Sequence, residues 1–316
     1  MALSVTHMAA HALDKHSKEI ADAVIEHNLL SAWLKASNRV KIVTGGLTFH
    51  EKVIYAEAGG MDWIDKDEEI SLVTTDSVTD AEYNIRILAG PLKIYDFDKR
   101  RASGDSQVAD LVETTVETAK TTMSNRLGTA VFNDGTNSKA LHGVQLLIAD
   151  AAGSTVGGID SSTYTWFENQ RDTTALTNFN TTQNGISRMT QMIADAAGND
   201  HDRPDLIVTT SAIWTLYQLS TTNVTRLVDT RVGKLGYMTL DFQGIPVGWD
   251  FNCPDDHMYF INSKYMFLRI LEGGEFVTSS WERVQGQLAD YATMHLYGQM
   301  TTNNRRKLGV ITSITG

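Results

Sequence analysis

The sequence predicts an α+β fold, with helices and strands in separate runs instead of a regular βαβ winding. Three observations carry this. Strand-like patterning fills Arg39 to Phe97 and most of Tyr237 to Met300. A single long helical period, Ser103 to Asn133, follows the first of these runs. Threonine, whose branched Cβ restricts χ1 and favours strands, is abundant throughout.

The elements follow in order. Ala9 to Lys35 reads as a helix, with Leu13, Ile20, Val24, His27, Leu30 and Leu34 near one face and Asp14, Lys15, Lys18, Glu19, Asp22 and Glu26 opposite. It either packs on its own domain or lies as an arm on a neighbouring subunit. Arg39–Thr44 and Phe49–Glu57 read as strands, punctuated by Gly45-Gly46 and Gly59-Gly60. An acidic run, Asp62 to Glu69, precedes a strand at Ile70–Thr74, so Gly45 to Thr75 can fold as a long hairpin. Each limb would reach ~40 Å, whereas a compact body of this size has a radius of gyration of only ~20 Å. A two-stranded ribbon is marginal alone in water, so this one calls for a neighbour to cover it.

Ala81–Ala89 alternates, with Tyr83, Ile85, Ile87 and Ala89 on one face. Gly90-Pro91 should interrupt it before Leu92–Phe97 resumes. The helix from Ser103 repeats Val108, Leu111, Val112, Thr115, Val116, Ala119, Met123, Leu127 and Ala130 at steps of three and four, and should be ~40 Å long. Leu141–Phe179 is loop-rich. Helices are expected at Thr181–Ala197 (Ile186, Met189, Ile193 and Ala197 inward) and Ser211–Leu219, with a buried strand at Asp205–Thr210 between them. The remaining strands are Tyr237–Asp250, Met258–Asn262, Tyr265–Leu271 and Gln287–Met300, the last with Leu288, Ala292, Met294 and Leu296 on one face.

Composition bounds the function. A chain of 316 residues suggests about two domains or one elaborated domain. At 42% hydrophobic it can bury a real core, and a single cysteine excludes a disulfide framework or a Cys-rich zinc module. With 27 Lys+Arg against 38 Asp+Glu, the net charge of −11 argues against a duplex-reading protein, which needs a basic surface. No apolar run approaches the ~18 residues of a membrane span. Met1 to Leu13 holds no Lys or Arg, which makes a poor signal peptide. A soluble, acidic, intracellularly made protein is the expectation.

Catalytic motifs are not found. Gly153-Ser154-Thr155-Val156-Gly157-Gly158 lacks the Lys and Ser/Thr of a phosphate-binding loop and reads as a backbone turn. His7, His11 and His16 have zinc-like spacing but no evident third and fourth ligands. Asp62, Asp65, Asp67, Glu68 and Glu69 lack the alternation and central glycine of a calcium loop and read as a solvated tip. Cys253 and Asp255-Asp256-His257 come without a nucleophile elbow, so a turn after Pro254 is the ordinary reading. No catalytic, cofactor-binding or metal residue is assigned. The basic runs Lys99-Arg100-Arg101 and Arg305-Arg306-Lys307 fit either phosphate or acidic residues of a neighbouring chain.

Taken in order, several segments resemble the major capsid proteins of tailed bacteriophages, which have the Hong Kong 97 fold. They include Asn28 to Lys35 leading into Arg39 to Gly46, Ala81-Glu82-Tyr83 before the long helix, and Phe132-Asn133-Asp134-Gly135-Thr136 at its close. Leu141-His142-Gly143-Val144, Val156 to Trp166, Arg203 to Val208, Phe242 to Val247 and Gly298 to Gly309 continue the series over nearly the whole chain. Proline is absent before Leu29, where the family often has one.

The resemblance implies an N-terminal arm (1–38), an extended E-loop hairpin (39–75), a peripheral domain with a spine helix (76–135 and 281–316) and an axial domain (136–280). It implies a non-enzymatic protein that assembles with itself into hexamers and pentamers of an icosahedral head, in the host cytoplasm, around double-stranded DNA bound without sequence specificity. A portal and a separate scaffolding protein are expected partners, a decoration protein is allowed, and no membrane, large N-terminal cleavage or crosslinking pair is expected. In such a shell the net charge of −11 would recur in every subunit and make an acidic inner wall. The inter-subunit contact candidates are Phe49, Val53, Tyr55, Trp63 and Ile64 on the hairpin, with Lys99, Arg100, Arg101, Arg305 and Arg306. The rival readings are an encapsulin-like nanocompartment shell protein, which shares the fold but holds enzyme cargo, and a soluble α/β hydrolase.

Overall fold

The computed structural model describes residues 25, 28–57, 59, 61, 63–67, 69, 75–102, 105–179, 184–220 and 239–315. In chain order the elements are α1 (Leu29–Ala36), β1 (Val40–Val43), β2 (Thr48–Ile54), β3 (Val78–Asn84), β4 (Arg86–Tyr95), α2 (Asp96–Arg101) and α3 (Asp105–Val131). The middle holds α4 (Val144–Leu147), β5 (Thr155–Val156), β6 (Ile159–Asp160), β7 (Gln170–Asp172), α5 (Gly185–Ala197), β8 (Leu206–Thr209) and α6 (Ser211–Ser220). Then come β9 (Thr239–Phe242), β10 (Ile245–Trp249), β11 (Met258–Ile261), β12 (Met266–Leu271), β13 (Val277–Thr278), β14 (Glu282–Arg283), β15 (Ala289–Thr302) and β16 (Gly309–Ile311).

The helix expected over Ala9–Lys35 is described only near its end, where it restarts. Asn28 is extended and its Oδ1 accepts from the Leu30 and Ser31 amides at 3.0 and 3.4 Å, which caps α1. Asp250 accepts from the Leu29 amide at 3.1 Å. Leu29, Leu30, Trp33 and Leu34 are buried in the main core of their own chain, so this stretch is part of the body. His7, His11 and His16 lie outside the described residues.

The first sheet is organised by β15, whose 14 residues span ~46 Å. On one side it pairs antiparallel with β12, β13 and β14, and on the other with β4; β1 adds parallel to β12. Ala292, Met294, Leu296 and Met300 are buried as a period of two requires, but Leu288 precedes the strand and is exposed. β4 does not break at Gly90-Pro91: Pro91 sits opposite Thr293 on a strand that, among the described residues, pairs only with β15, where a missing N–H is tolerated. The expected strand Ala81–Ala89 does break, at Ile85, and its phase slips by one. Tyr83 points inward on β3, whereas Leu92 and Ile94 point inward on β4 and Ile87 is exposed.

α3 has 27 residues, ~40 Å, and lies against β4. Among its described side chains, the buried apolar ones are Val112, Met123, Leu127 and Val131. Its exposed hydroxyls, among them Thr114, Thr118, Thr121, Thr122 and Thr129, donate to carbonyls four residues back at 2.8 to 3.0 Å, which satisfies them without leaving the helix. Gly143 closes the helix exit. A Cβ there would stand 2.1 Å from the Asn133 amide nitrogen and 2.4 Å from its carbonyl oxygen. These are backbone atoms that cannot step aside, so Gly143→Ala is expected to destabilise the chain by at least about 3 kcal/mol, read as a lowered urea midpoint. An unchanged midpoint would show that the exit relaxes freely.

The second sheet runs β7-β16-β11-β8-β10-β9 and separates two cores. Leu206, Val208, Tyr259, Ile261 and Val310 face the main core shared with α1, α3 and the first sheet. Ile207, Met258, Phe260, Ile311 and Val247 face a smaller core with α5 and α6. Alternation puts successive side chains on opposite faces, and both faces are covered, so the central strands are buried at every position. Gln243 and Gly244, both at positive φ, form the two-residue turn joining β9 to β10. α5 starts at Gly185 and buries Met189, Met192, Ile193 and Ala196; Ile186, expected inward, lies outside that face.

Candidate assembly surfaces

The hairpin is built from β2 and β3, paired from Thr48 opposite Asn84 to Ile54 opposite Val78. The described part of the return limb is 78–84, and the strand expected at 70–74 lies outside the described residues, together with Asp62 and Glu68. The inward face of the pair carries Phe49, Glu51, Val53, Ala81 and Tyr83, all buried. Phe49 and Val53, proposed from sequence as contacts to a neighbour, are each 2% exposed and belong to the main core of their own chain. The hairpin's root is a wall of the body, so these two pack in their own chain and not on a neighbour, contrary to what the resemblance implies.

Polar contacts fix that root. Glu51 accepts from Arg269 on β12 through both carboxylate oxygens, at 2.6 and 2.8 Å, and from the Thr301 hydroxyl on β15 at 2.7 Å. Tyr83 donates to the Thr302 carbonyl at 2.8 Å. Gly157, at positive φ, brings its loop against the same root: a Cβ would meet that of Ala81 at 2.8 Å, and its carbonyl accepts from the Glu82 amide. Gly157-Gly158 is thus the two-residue turn between β5 and β6.

Past the root the hairpin changes character. Tyr55 is partly exposed and stacks on Trp166 at 5.2 Å. Ile54, Met61, Ile64 and Val78 are exposed, and Trp63 is 100% exposed. Asp65, Asp67 and Glu69 accompany them as solvent-facing carboxylates. Apolar surface of this kind, concentrated on one projecting element, marks an interaction site.

The basic runs divide. Lys99 pairs with Asp290, and Arg283 with Asp96, so α2 is tied to β14 and β15 while Arg100 and Arg101 face outward. Arg305, proposed as a contact, is fully buried in its own chain. Its Nε donates to the Leu147 carbonyl at 2.8 Å and its Nη2 to Ser154 and Asn169 at 2.7 and 3.1 Å, beneath the Phe167 ring. Burial pulls its pKa down to about 10. Lys307 is also buried, donating to the Ala197 carbonyl, which leaves Arg306 as the outward residue of that run.

The residues weighed for catalysis, Cys253 and Asp255-Asp256-His257, lie within the described residues. Burial pushes the Cys253 thiol up, away from the thiolate a nucleophile needs. His257 Nε2 lies 2.9 Å from Asp150 Oδ2, its Nδ1 faces the Asp255 carbonyl, and its ring stacks on Tyr259. Burial opposes its charge, but these acceptors outweigh burial and raise its pKa. Among the described residues no three His, Cys, Asp or Glu side chains gather as a metal site, and no helix is long and apolar enough to cross a membrane. Sequence reading missed the exposed Phe97, Leu288 and Phe251. Leu288 fell in phase with a buried strand face, and only the strand's true start at Ala289 takes it out.

No protein-family model matches the chain, and no curated protein resembles it in sequence. Solved structures do resemble it in fold. The capsid protein of cyanophage A-1(L) superposes with a TM-score of 0.68 at 17% identity, over 90% of this chain and 92% of that one. A capsid protein of a native GTA particle gives 0.57 at 11%, over 90% of each chain. The SrpI encapsulin of Synechococcus elongatus PCC 7942 gives 0.55 at 10%, over 90% and 87%. The chain therefore has the Hong Kong 97-type capsid fold, the α+β class expected from sequence.

Proposed function

We propose that this chain is a major capsid protein of a tailed bacteriophage, forming hexamers and pentamers of an icosahedral head around double-stranded DNA. The observation that carries this is the hairpin, whose root is locked into its own body while its extension shows Trp63, Met61 and Ile64 to solvent. Such an element gains by lying on another copy. A contact in which one patch meets a different patch of the next subunit closes into rings when the rotation allows it. Specific interfaces bury ~1,600 Å² in total, and repetition around a shell multiplies modest contacts by valency. Tyr55, Trp63, Ile64, Arg100, Arg101 and Arg306 remain as contact residues in this reading.

The division into arm, hairpin, peripheral and axial parts belongs to the same proposal, with limits moved to fit strand pairing. The hairpin extends to Asn84, because β3 is its second limb, and β1 and β12 go with β4 and β15 in one sheet. A separate scaffolding protein and a portal complete the expected partners. The encapsulin reading retains one specific support, the fold match to SrpI. Electron microscopy of purified particles, with measurement of their nucleic-acid content, tests both: DNA-filled heads support the phage reading, and closed shells with protein cargo and no DNA support the other.

A further inference from the structure

A cleft of about 370 Å³ opens between the last turns of α3, the loop that follows it, and strands β4 and β15. Its walls are apolar: Ile87, Leu88, Leu127, Ala130, Leu141 and Leu296. Its charged residues are Arg86, Arg126 and Lys139, and no carboxylate lines it among the described residues. That is an unusual concentration in a chain with 38 acidic and 27 basic side chains. Arg126 and Lys139 are exposed, while Arg86 is half-buried and its Nε is a buried donor without a hydrogen-bond partner.

Several neighbours that could have compensated this charge are already engaged. The Thr129 and Ala130 carbonyls at the helix end accept from the Phe132 and Asn133 amides at 3.2 and 3.1 Å. Asp134 is occupied by the Thr136 amide and hydroxyl at 2.8 and 2.6 Å. The positive field reaches His142, whose Nδ1 is also buried without a partner. Burial first, and Arg86 second, hold its pKa below the ordinary value.

We propose that this cleft binds a phosphate group, supplied by the backbone of the DNA that the shell encloses; the source rests on the function proposed above. The half-buried Arg86 guanidinium can grip phosphate oxygens bidentately, and the exposed Arg126 and Lys139 add two further cations to the same lining. Apolar walls thin the water around the ion and strengthen the attraction. The readout is of phosphate alone, so it carries no sequence preference. A few such points in an otherwise acidic subunit would fix the outermost DNA without holding the bulk of it.

The test uses the full chain and the Arg126→Gln/Lys139→Gln double variant, whose altered side chains are exposed. Each is titrated with inorganic phosphate and with a 12-base-pair duplex, and particle formation is followed by electron microscopy. Expected results are binding of both ligands by the wild type, at least a tenfold loss in the variant, and a slope of log K against log salt reduced by about 2. Wild-type binding of phosphate but not duplex would overturn DNA as the source. Binding of neither, or equal binding by the variant, would overturn the site. Loss of particles with duplex binding intact would make the cleft a contact between copies instead. Wild-type shells that bind no duplex would sink this inference while leaving the capsid reading standing.

Discussion

Glu51→Leu is expected to be among the most damaging substitutions in the chain. Glu51 is 5% exposed and accepts three hydrogen bonds, two from Arg269 and one from Thr301. Leucine has comparable bulk but no acceptor, so Arg269 would be left as a largely buried cation with its carboxylate gone. Breaking one partner of a buried pair costs ~3–5 kcal/mol, even where replacing both can be neutral. Domains are stable by only ~5–15 kcal/mol in total, so this removes about a fifth or more. The loss falls at the joint between β2 and the interior strands β12 and β15 of the first sheet, so the hairpin's exit direction should loosen as well. A urea titration should show the lower midpoint, and particle yield should fall with it. The double variant Glu51→Leu/Arg269→Leu should recover much of the stability, because no unpaired charge remains. An unchanged midpoint in the single variant would show that the pair does not hold the root.

Trp63→Ala should behave in the opposite way. The side chain is fully exposed, so its removal should change the stability of the isolated chain by no more than ~0.5 kcal/mol. If the hairpin clasps a neighbour, the same change deletes an aromatic anchor. Anchors of this type are worth ~2 kcal/mol or more, about 30-fold in each contact. Because every subunit repeats the contact, the concentration needed for assembly should rise steeply and particle yield should collapse. The pairing of an intact melting curve with lost particles is what distinguishes an interface residue from a folding residue. Normal particle yield and stability in Trp63→Ala and in Tyr55→Asp would contradict the clasp.

The elements that could be read from sequence were those whose pattern is set locally. α3 was legible because its apolar positions recur at steps of three and four and because Asn133-Asp134-Gly135 closes it. β15 was legible from alternation, whereas Tyr237–Asp250, read as one strand, is folded back into β9 and β10 at the positive-φ turn Gln243-Gly244. What failed depended on distant chain. Alternation at Phe49 and Val53 shows that one face is buried but not against what, and the answer lies more than 200 residues away at Arg269 and Thr301. The phase slip at Ile85 leaves no local mark, because both parities in that stretch carry apolar residues. Arg305 sits in a basic run that looks solvated, and only the fold brings Leu147, Ser154 and Asn169 around it. The phosphate cleft was invisible for the same reason, since Arg86, Arg126 and Lys139 come from three separate elements.

The most direct test of the central claim is electron microscopy of the purified full-length chain, expressed with its scaffolding partner where one is encoded beside it. The account predicts closed icosahedral particles in which each hairpin reaches onto the adjacent subunit, with Trp63 in the contact. A chain that remains a monodisperse monomer under all assembly conditions, or particles in which Trp63 faces bulk solvent, would contradict it.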